Sequence, residues 1–386
     1  MTEKLYDLDS YVTEFDCKVV SLYSDDDYIY VETDKTAFFP EGGGQTSDRG
    51  LLGGAYVENV RLDGGKILHI VENNAENVEK LSVGAVLHGE IDFQKRFSDM
   101  QQHSGEHIFS GIVHSLFGFD NVGFHLGSDF VTIDINGELS SADICKVETL
   151  VNEAVWKNLK IHVFYPSPEE LEKLSYRSKK EIDGPLRIVE IPGVDVCACC
   201  APHVKRTGEI GSFRVVKSER HRGGMRFYVL CGERNLLDGR ERLFQNHLIG
   251  TLLCSKETET ASHVQKLKEE KAALSAEIVA LKRELLSLKA ESTEGGKRLV
   301  FSLEASDVTA AREFADRLSQ KAEEFAAVLF GEHCEKYVII SKTGFDLSSL
   351  CKALGEKFGG RGGGRNGIVQ GSLETPEGAE EFLKNC

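Results

Sequence analysis

The sequence predicts an α+β multidomain protein: a small N-terminal β-barrel, a mixed α+β domain, a coiled-coil arm and a C-terminal α/β domain. Three observations carry this expectation. Residues 16–91 are short β-branched and aromatic runs broken by Asp- and Gly-rich turns. From about residue 97 the apolar period becomes helical and then alternates with strand-like text. Between residues 264 and 288 apolar side chains recur on alternating three- and four-residue steps. A chain of 386 residues exceeds one ordinary domain of roughly 150 residues. The expected divisions are 1–91, 92–240, 241–296 and 297–386, the third being a helical linker.

In the first segment "CKVVSLY", "YIYVET", "AYVENVRL" and "KILHIVE" are the strands, and "DGGK" is one of the turns. Short strands at this spacing suit a small barrel or sandwich. Set among them is "FFPEGGGQTSDRG", residues 38–50. Gly42, Gly43 and Gly44 permit positive φ angles and close approach of another backbone or a ligand. No strand–glycine–helix pattern surrounds them, which excludes a dinucleotide fingerprint. The loop is either a tight hairpin or, with Gln45, a wall facing a substrate.

The second segment places Ile108, Ile112 and Leu116 at i, i+4 and i+8 of a helix. "SADICKVETLVNEAVWKNL" is a further helix, and "DFVTIDIN", "LRIVEI", "GSFRVVKSE" and "MRFYVLCG" are strands, a mixture that indicates an α+β domain. In the arm, Val264, Leu267, Leu274, Ile278, Leu281, Leu285 and Leu288 form the seam, and Lys271 takes an a position. No turn signal interrupts the run before "ESTEGGK", so a homodimer through this arm is expected over an internal hairpin. The last segment holds "KFGGRGGGRNG", residues 357–367, followed by strand-like "GIVQGS".

No apolar run approaches the ~18 residues that span a bilayer, and the acidic N-terminus "MTEKLYDLDSYVTEFD" lacks the features of a secretory signal. A cytoplasmic protein without membrane partners is expected, with its ten cysteines reduced. Seven of them are scattered singly and read as small buried hydrophobes; only Cys197, Cys199 and Cys200 cluster. The net charge of −16 is unlike that of a nucleic-acid binder, but it averages over domains. Lys205 to Arg226 holds seven Lys or Arg against two acids, a local excess of +5. That stretch is either an electrostatic footprint for nucleic acid or the solvated face of a strand.

His103 and His107 lie one helical turn apart on one face, where two imidazoles can reach a single ion at about 2.0–2.1 Å. His114 shares that face but sits roughly 10 Å further along at 1.5 Å per residue, too far for the same ion; it either lines the same cleft or, the reading preferred, is a partly buried core histidine. "CACCAPHVKRTG", residues 197–208, supplies a second pair of the same spacing, Cys199 and His203. These are ligand types that zinc prefers. Cys197 and Cys200 are rivals for the thiolate position, because proximity alone does not choose among three sulfurs. A redox reading of "CACC" lacks the helix N-terminus such motifs use. "HSGEH" places Glu106 beside the second histidine, so it is not the H-E-x-x-H of zinc proteases.

Taken in order, "FFPEGGGQ", "HSGEH", "CCAPHVKRTGEIGSFRV", a coiled-coil arm and "GGRGGGRNGIVQGS" resemble the free-standing alanyl-tRNA editing proteins of the long type. They are similar to the editing and C-terminal portions of alanyl-tRNA synthetases, over nearly the whole chain. Two departures stand out. Cys200, Ala201 and Pro202 fill a gap where the family has small residues and a threonine, and His125 of "HLGS" replaces a glutamine. No aminoacylation core that uses ATP is expected.

The resemblance implies a zinc-dependent deacylase that hydrolyses the ester between a wrong amino acid, serine or also glycine, and alanine tRNA. It implies one zinc ion per chain, held by His103, His107, Cys199 and His203. His103, His107 and His125 form the expected catalytic set. Gly42, Gly43, Gly44 and Gln45 are expected at the aminoacyl end, and Arg361 and Arg365 against the tRNA body. Three other classes compete: a nucleic-acid-binding module with structural zinc, a phosphoesterase-like protein cradling phosphate in "GGRGGGR", and a general metallohydrolase of small esters.

Overall fold

The computed structural model describes residues 2–178, 186–304 and 307–386. The chain divides into two compact units, Met1–Asn246 and His247–Cys386. No described helix is long and apolar enough to cross a membrane.

In the first unit six strands close into a barrel: β1 (Glu14–Ser24), β2 (Tyr28–Thr33), β3 (Gly50–Leu52), β4 (Ala55–Asp63), β5 (Lys66–Glu72) and β6 (Val86–Ile91), in the order β1-β2-β5-β4-β3-β6. Alternation drives closure: Phe15, Cys17 and Val19 of β1 point inward while Glu14, Asp16 and Lys18 face solvent. The barrel interior also holds His69, whose Nδ1 bonds the Val31 carbonyl at 2.9 Å and whose Nε2 meets Thr36 Oγ1 at 2.8 Å.

Helix α1 (Phe93–Phe117) follows directly. Asp92 caps it by accepting from the Lys95 N–H, and Gly118, at φ 70°, ends it in the left-handed region. Arg96 anchors the helix to the barrel: fully buried, it pairs with Asp48 and donates to the carbonyls of Ala37 (2.6 Å) and Ser10 (3.0 Å). Residues from Met100 to Gly111 are buried on all sides, not along one stripe. Ile108 is fully buried, but Leu116 is 43% exposed, because the last turn emerges from the fold.

Around α1 lie β7 (Asn121–Leu126), β8 (Val131–Ile135), α2 (Ser141–Trp156), β9 (His162–Phe164), β10 (Ile188–Ile191), β11 (Asp195–Ala198), β12 (Phe213–His221) and β13 (Gly224–Cys231). Strands β12-β13-β8-β7 form one antiparallel sheet and β9-β10-β11 another. Met100, Ile108 and Phe109 of α1 share one core with Ile133, Phe227 and Val229 of the larger sheet. Helix α3 (Gly232–Leu253) follows β13.

The second unit contains α4 (Thr260–Ser292), an uninterrupted helix of 33 residues. Its five-stranded sheet is built from β14 (Gly296–Glu304), β15 (Ala322–Gly331), β16 (Lys336–Ile340), β17 (Arg361–Arg365) and β18 (Ile368–Ser372), in the order β14-β15-β16-β18-β17. Helices α5 (Val308–Ser319), α6 (Leu347–Phe358) and α7 (Ala379–Asn385) complete it.

Candidate metal centre

His103, His107, Cys199 and His203 converge, with one ligand atom from each lying within 4.8 Å of all the others. Helix α1 presents the first two from adjacent turns. The segment that leaves β11 presents the others: Asp195, Cys197 and Cys199 alternate onto one side, and Arg187 fixes the turn by donating to the carbonyls of Cys199 (2.9 Å) and Ala201 (2.8 Å).

Every imidazole is held through Nδ1. Gln45 Oε1 lies 2.8 Å from Nδ1 of His103, Asp195 Oδ2 lies 3.0 Å from that of His107, and Ser104 Oγ lies 3.0 Å from that of His203. Gln45 Oε1 and the Asp195 carboxylate can only accept, so His103 and His107 carry their proton on Nδ1 and turn Nε2 to the centre. Cys199 Sγ lies 3.6 Å from Nε2 of His103 and 3.4 Å from Nε2 of His203. Arg177 in turn grips Asp195 through Nε (2.7 Å) and Nη2 (2.9 Å).

Electrostatics separates the three cysteines. Burial raises the thiol pKa of all three, but at Cys199 the neighbouring His103 and His203 outweigh it and hold the thiol well below its usual range. Cys197 and Cys200 lack that excess, and burial pushes both thiols up. Burial lowers His203 to about 3, so it is a neutral donor. At His107 burial opposes the cation, yet the hydrogen bond to Asp195 keeps its pKa well above the usual value. Three Nε2 atoms and one thiolate, each oriented from behind, fit a zinc ion.

The glycine-rich loop meets this cluster. Gly43 and Gly44 have φ of 63° and 86°, and a Cβ on Gly44 would lie 2.5 Å from the Phe124 carbonyl oxygen. The Leu126 N–H donates to the Gly44 carbonyl at 2.9 Å, and the Phe124 ring stacks obliquely 4.8 Å from His103. The loop is thus pinned to the edge of β7, with Gln45 buried beside His103. Gln45 Nε2 has no hydrogen-bond partner among the described residues.

Other expected positions lie elsewhere. His125 is exposed on β7, opposite Thr132, whose own partner is Tyr228; Phe124 and Leu126 take the inward side. The strand's alternation therefore turns His125 away from the cluster. His114 is not a core histidine: it is exposed at the end of α1 and bonds Asp120 at 2.9 Å. The basic stretch is largely neutralised, with Lys205 paired to Asp9, Arg214 to Asp238, Lys217 to Glu219, Arg220 to Glu138 and Arg226 to Asp134. Arg361 and Arg365 belong to the second unit, at the two ends of the exposed strand β17. Two of its three glycines serve packing: a Cβ on Gly362 would lie 1.9 Å from Tyr337 Oη, and one on Gly364 would lie 1.9 Å from the Ile368 carbonyl oxygen, while Gly363 faces open space. A strand of this kind is not a phosphate-cradling loop.

Fold and centre place the chain among proteins built from accessory domains of tRNA synthetases. The Threonyl and Alanyl tRNA synthetase second additional domain matches residues 186–228, and the DHHA1 domain matches residues 295–386. The chain is 29% identical over 391 residues to the alanyl-tRNA editing protein AlaX-L of Pyrococcus horikoshii, spanning 97% of this chain and 95% of that protein. It is 34% identical over 242 residues to the alanyl-tRNA editing protein AlaX-M of Saccharolobus solfataricus, spanning 59% of this chain and 98% of that protein. Against the alanine–tRNA ligase of Pyrococcus furiosus it is 30% identical, over 99% of this chain but 43% of the ligase. The chain belongs to the alanyl-tRNA editing protein family.

Proposed function

We propose that this protein is a trans-acting, zinc-dependent deacylase that releases a wrong amino acid, serine foremost and also glycine, from alanine tRNA. The observation that carries the reading is the joining of Gln45, from the glycine-rich loop, to His103 within a three-histidine, one-cysteine cluster. His103, His107, Cys199 and His203 would hold one ion per chain. Bound there, zinc supplies an electrophilic anchor beside the ester and fixes the four ligands in place.

The chain's own groups supply selectivity. A synthetase pocket shaped for alanine rejects serine or glycine poorly, since the difference is one hydroxyl or one methyl, so a second site must discriminate. Gln45 Nε2 is a buried donor beside the ligands. A seryl hydroxyl satisfies such a group, whereas the alanyl methyl leaves it unpaired at a cost of about 1–3 kcal/mol. Asp195, Arg177 and Ser104 orient the imidazoles without touching substrate. Gly42, Gly43 and Gly44 let the loop close on the aminoacyl end. Arg361 and Arg365 position the tRNA body, and α4 pairs two chains. His125, on the outer side of β7, is left out of the catalytic set.

Serine release from seryl-tRNA(Ala) by the purified chain, before and after chelation and zinc replenishment, tests this reading. Activity lost on chelation and restored by zinc is the expected result. A chain that hydrolyses seryl-tRNA(Ala) equally well when metal-free overturns the zinc assignment, and one inert in every state overturns the deacylase.

A further inference from the structure

A cleft of about 500 Å³ opens on the outside of the barrel, walled by Tyr28, Tyr30, Tyr56, Arg49, Arg61 and Glu58. It has no part in the metal centre. Its aromatic content is unusual for solvent-facing strands: Tyr23 and Tyr56 are each 50% exposed, and Tyr23 stacks on Tyr30 with ring centroids 4.7 Å apart and planes 11° from parallel. Asp25 fixes the Tyr30 hydroxyl by accepting from it at 2.8 Å, so the ring is held rather than free to turn. Among the described residues neither the Arg49 nor the Arg61 guanidinium has a hydrogen-bond or ion-pair partner. Most other arginines of the first unit are paired, whereas these two guanidiniums face the same cleft as the tyrosines and the Glu58 carboxylate.

The strand register gives the cleft a direction. Tyr23 pairs with Tyr30, Tyr30 with Ile70, and Ile70 with Asn59, which sets a row across β1, β2, β5 and β4. Four strands spaced at about 4.8 Å make that row roughly 15 Å long. At its end Ser47 Oγ donates to Asn59 Oδ1 at 2.6 Å. Ser47 lies two residues past Gln45, which bonds His103. The row, two stacked tyrosines followed by Ile70 and Asn59, therefore leads along the barrel to the segment that borders the metal centre.

We propose that this barrel face binds unpaired nucleotides: the tyrosines stack bases and Arg49 and Arg61 take the phosphates. Base stacking on aromatic rings tolerates any sequence, and arginines add charge-assisted contacts to the backbone. The strand is single, because a duplex hides its base faces from such a platform. The identity of that strand, the unpaired end of an aminoacylated tRNA, rests on the proposed function; the chemistry of the cleft does not.

The test uses the full chain and a single-stranded RNA hexanucleotide carrying 2-aminopurine. The parent chain should quench its fluorescence, and Tyr23→Leu with Tyr56→Leu should lose most of the quench. Arg49→Gln with Arg61→Gln should weaken binding on the order of tenfold and reduce the slope of log K against log salt by about 1.4. Tyr23→Phe with Tyr56→Phe should keep the quench that the leucine pair loses, which separates lost stacking from misfolding. Equal affinity for duplex RNA, unchanged binding in the leucine and glutamine double variants, or binding of a polyglutamate peptide in preference to RNA would overturn the proposal, the last pointing to an acidic protein partner. Oligonucleotide binding by a parent chain that hydrolyses no aminoacyl-tRNA would sink the proposed function and leave this site standing. Normal deacylation, with unaltered KM in all these variants, would do the reverse.

Discussion

Cys199 sits between the Nε2 atoms of two imidazoles, and that position makes it the sulfur of the four-residue group. Cys197, on the same side of β11, groups instead with His107 and Asp195, a set of three rather than four, and Cys200 lies toward Gly43. Cys199→Ala should therefore lose most bound zinc by elemental analysis, whereas Cys197→Ala and Cys200→Ala should keep about one ion per chain. Full zinc in the Cys199 variant contradicts the ligand set. Helical spacing made the first histidine pair legible in the sequence and "CACCAPH" offered a second set of candidates, but Cys199 was singled out among three sulfurs only by the family resemblance. Asp195, Ser104 and Arg177 were not legible. Asp195 lies 88 residues from the histidine it orients, and no local pattern encodes so distant a partner. His125 is exposed on β7, where strand alternation and not its motif position sets the side it faces.

At the scale of elements, the barrel was expected from its short β-branched strands, yet a polar group in its interior was not. His69 is fully buried, and burial lowers its pKa from 6.5 to about 4. As pH falls through 6.5 the unfolded chain takes up a proton that the folded barrel refuses. The contribution of His69 is therefore complete above pH 6.5 and shrinks toward pH 4, by roughly 3 kcal/mol in all. Denaturation at pH 7.5, 5.5 and 4.5 should reveal this loss, and His69→Gln should flatten that part of the profile; an identical profile in the variant contradicts it. Helix α4 raises a different question. Its seam positions from Val264 to Leu288 are between 40% and 65% exposed, as an apolar stripe awaiting a partner would be. The heptad was readable in sequence, but a partner in another chain is not written there. We expect a dimer by sedimentation at micromolar concentration, tightened by Lys271→Leu at the a position. A monomer under those conditions, unchanged in the variant, ends the dimer reading.

Over the whole molecule the two units divide the proposed labour. The metal centre belongs wholly to the first unit, and Arg361 and Arg365 belong to the second. Arg361→Ala with Arg365→Ala should raise KM for mischarged tRNA and flatten its salt dependence, because phosphate contacts position without reading bases. The single-turnover rate at saturating enzyme should hardly change; a fall as steep as the loss of affinity contradicts the division. The order of motifs sets the candidate ligands and the two arginines far apart in the chain, whereas the pairing of the basic stretch with Asp9, Asp134, Glu138, Glu219 and Asp238 needed the fold. The central claim remains the chemistry at His103, His107, Cys199 and His203. Its most direct test compares single-turnover hydrolysis of seryl-, glycyl- and alanyl-tRNA(Ala) by the purified, zinc-loaded chain. Release of serine is expected, with alanine spared by on the order of tenfold or more, the factor that leaving one buried donor unpaired implies. Equal rates on all three would contradict a discriminating site, and no hydrolysis of any would contradict the deacylase itself.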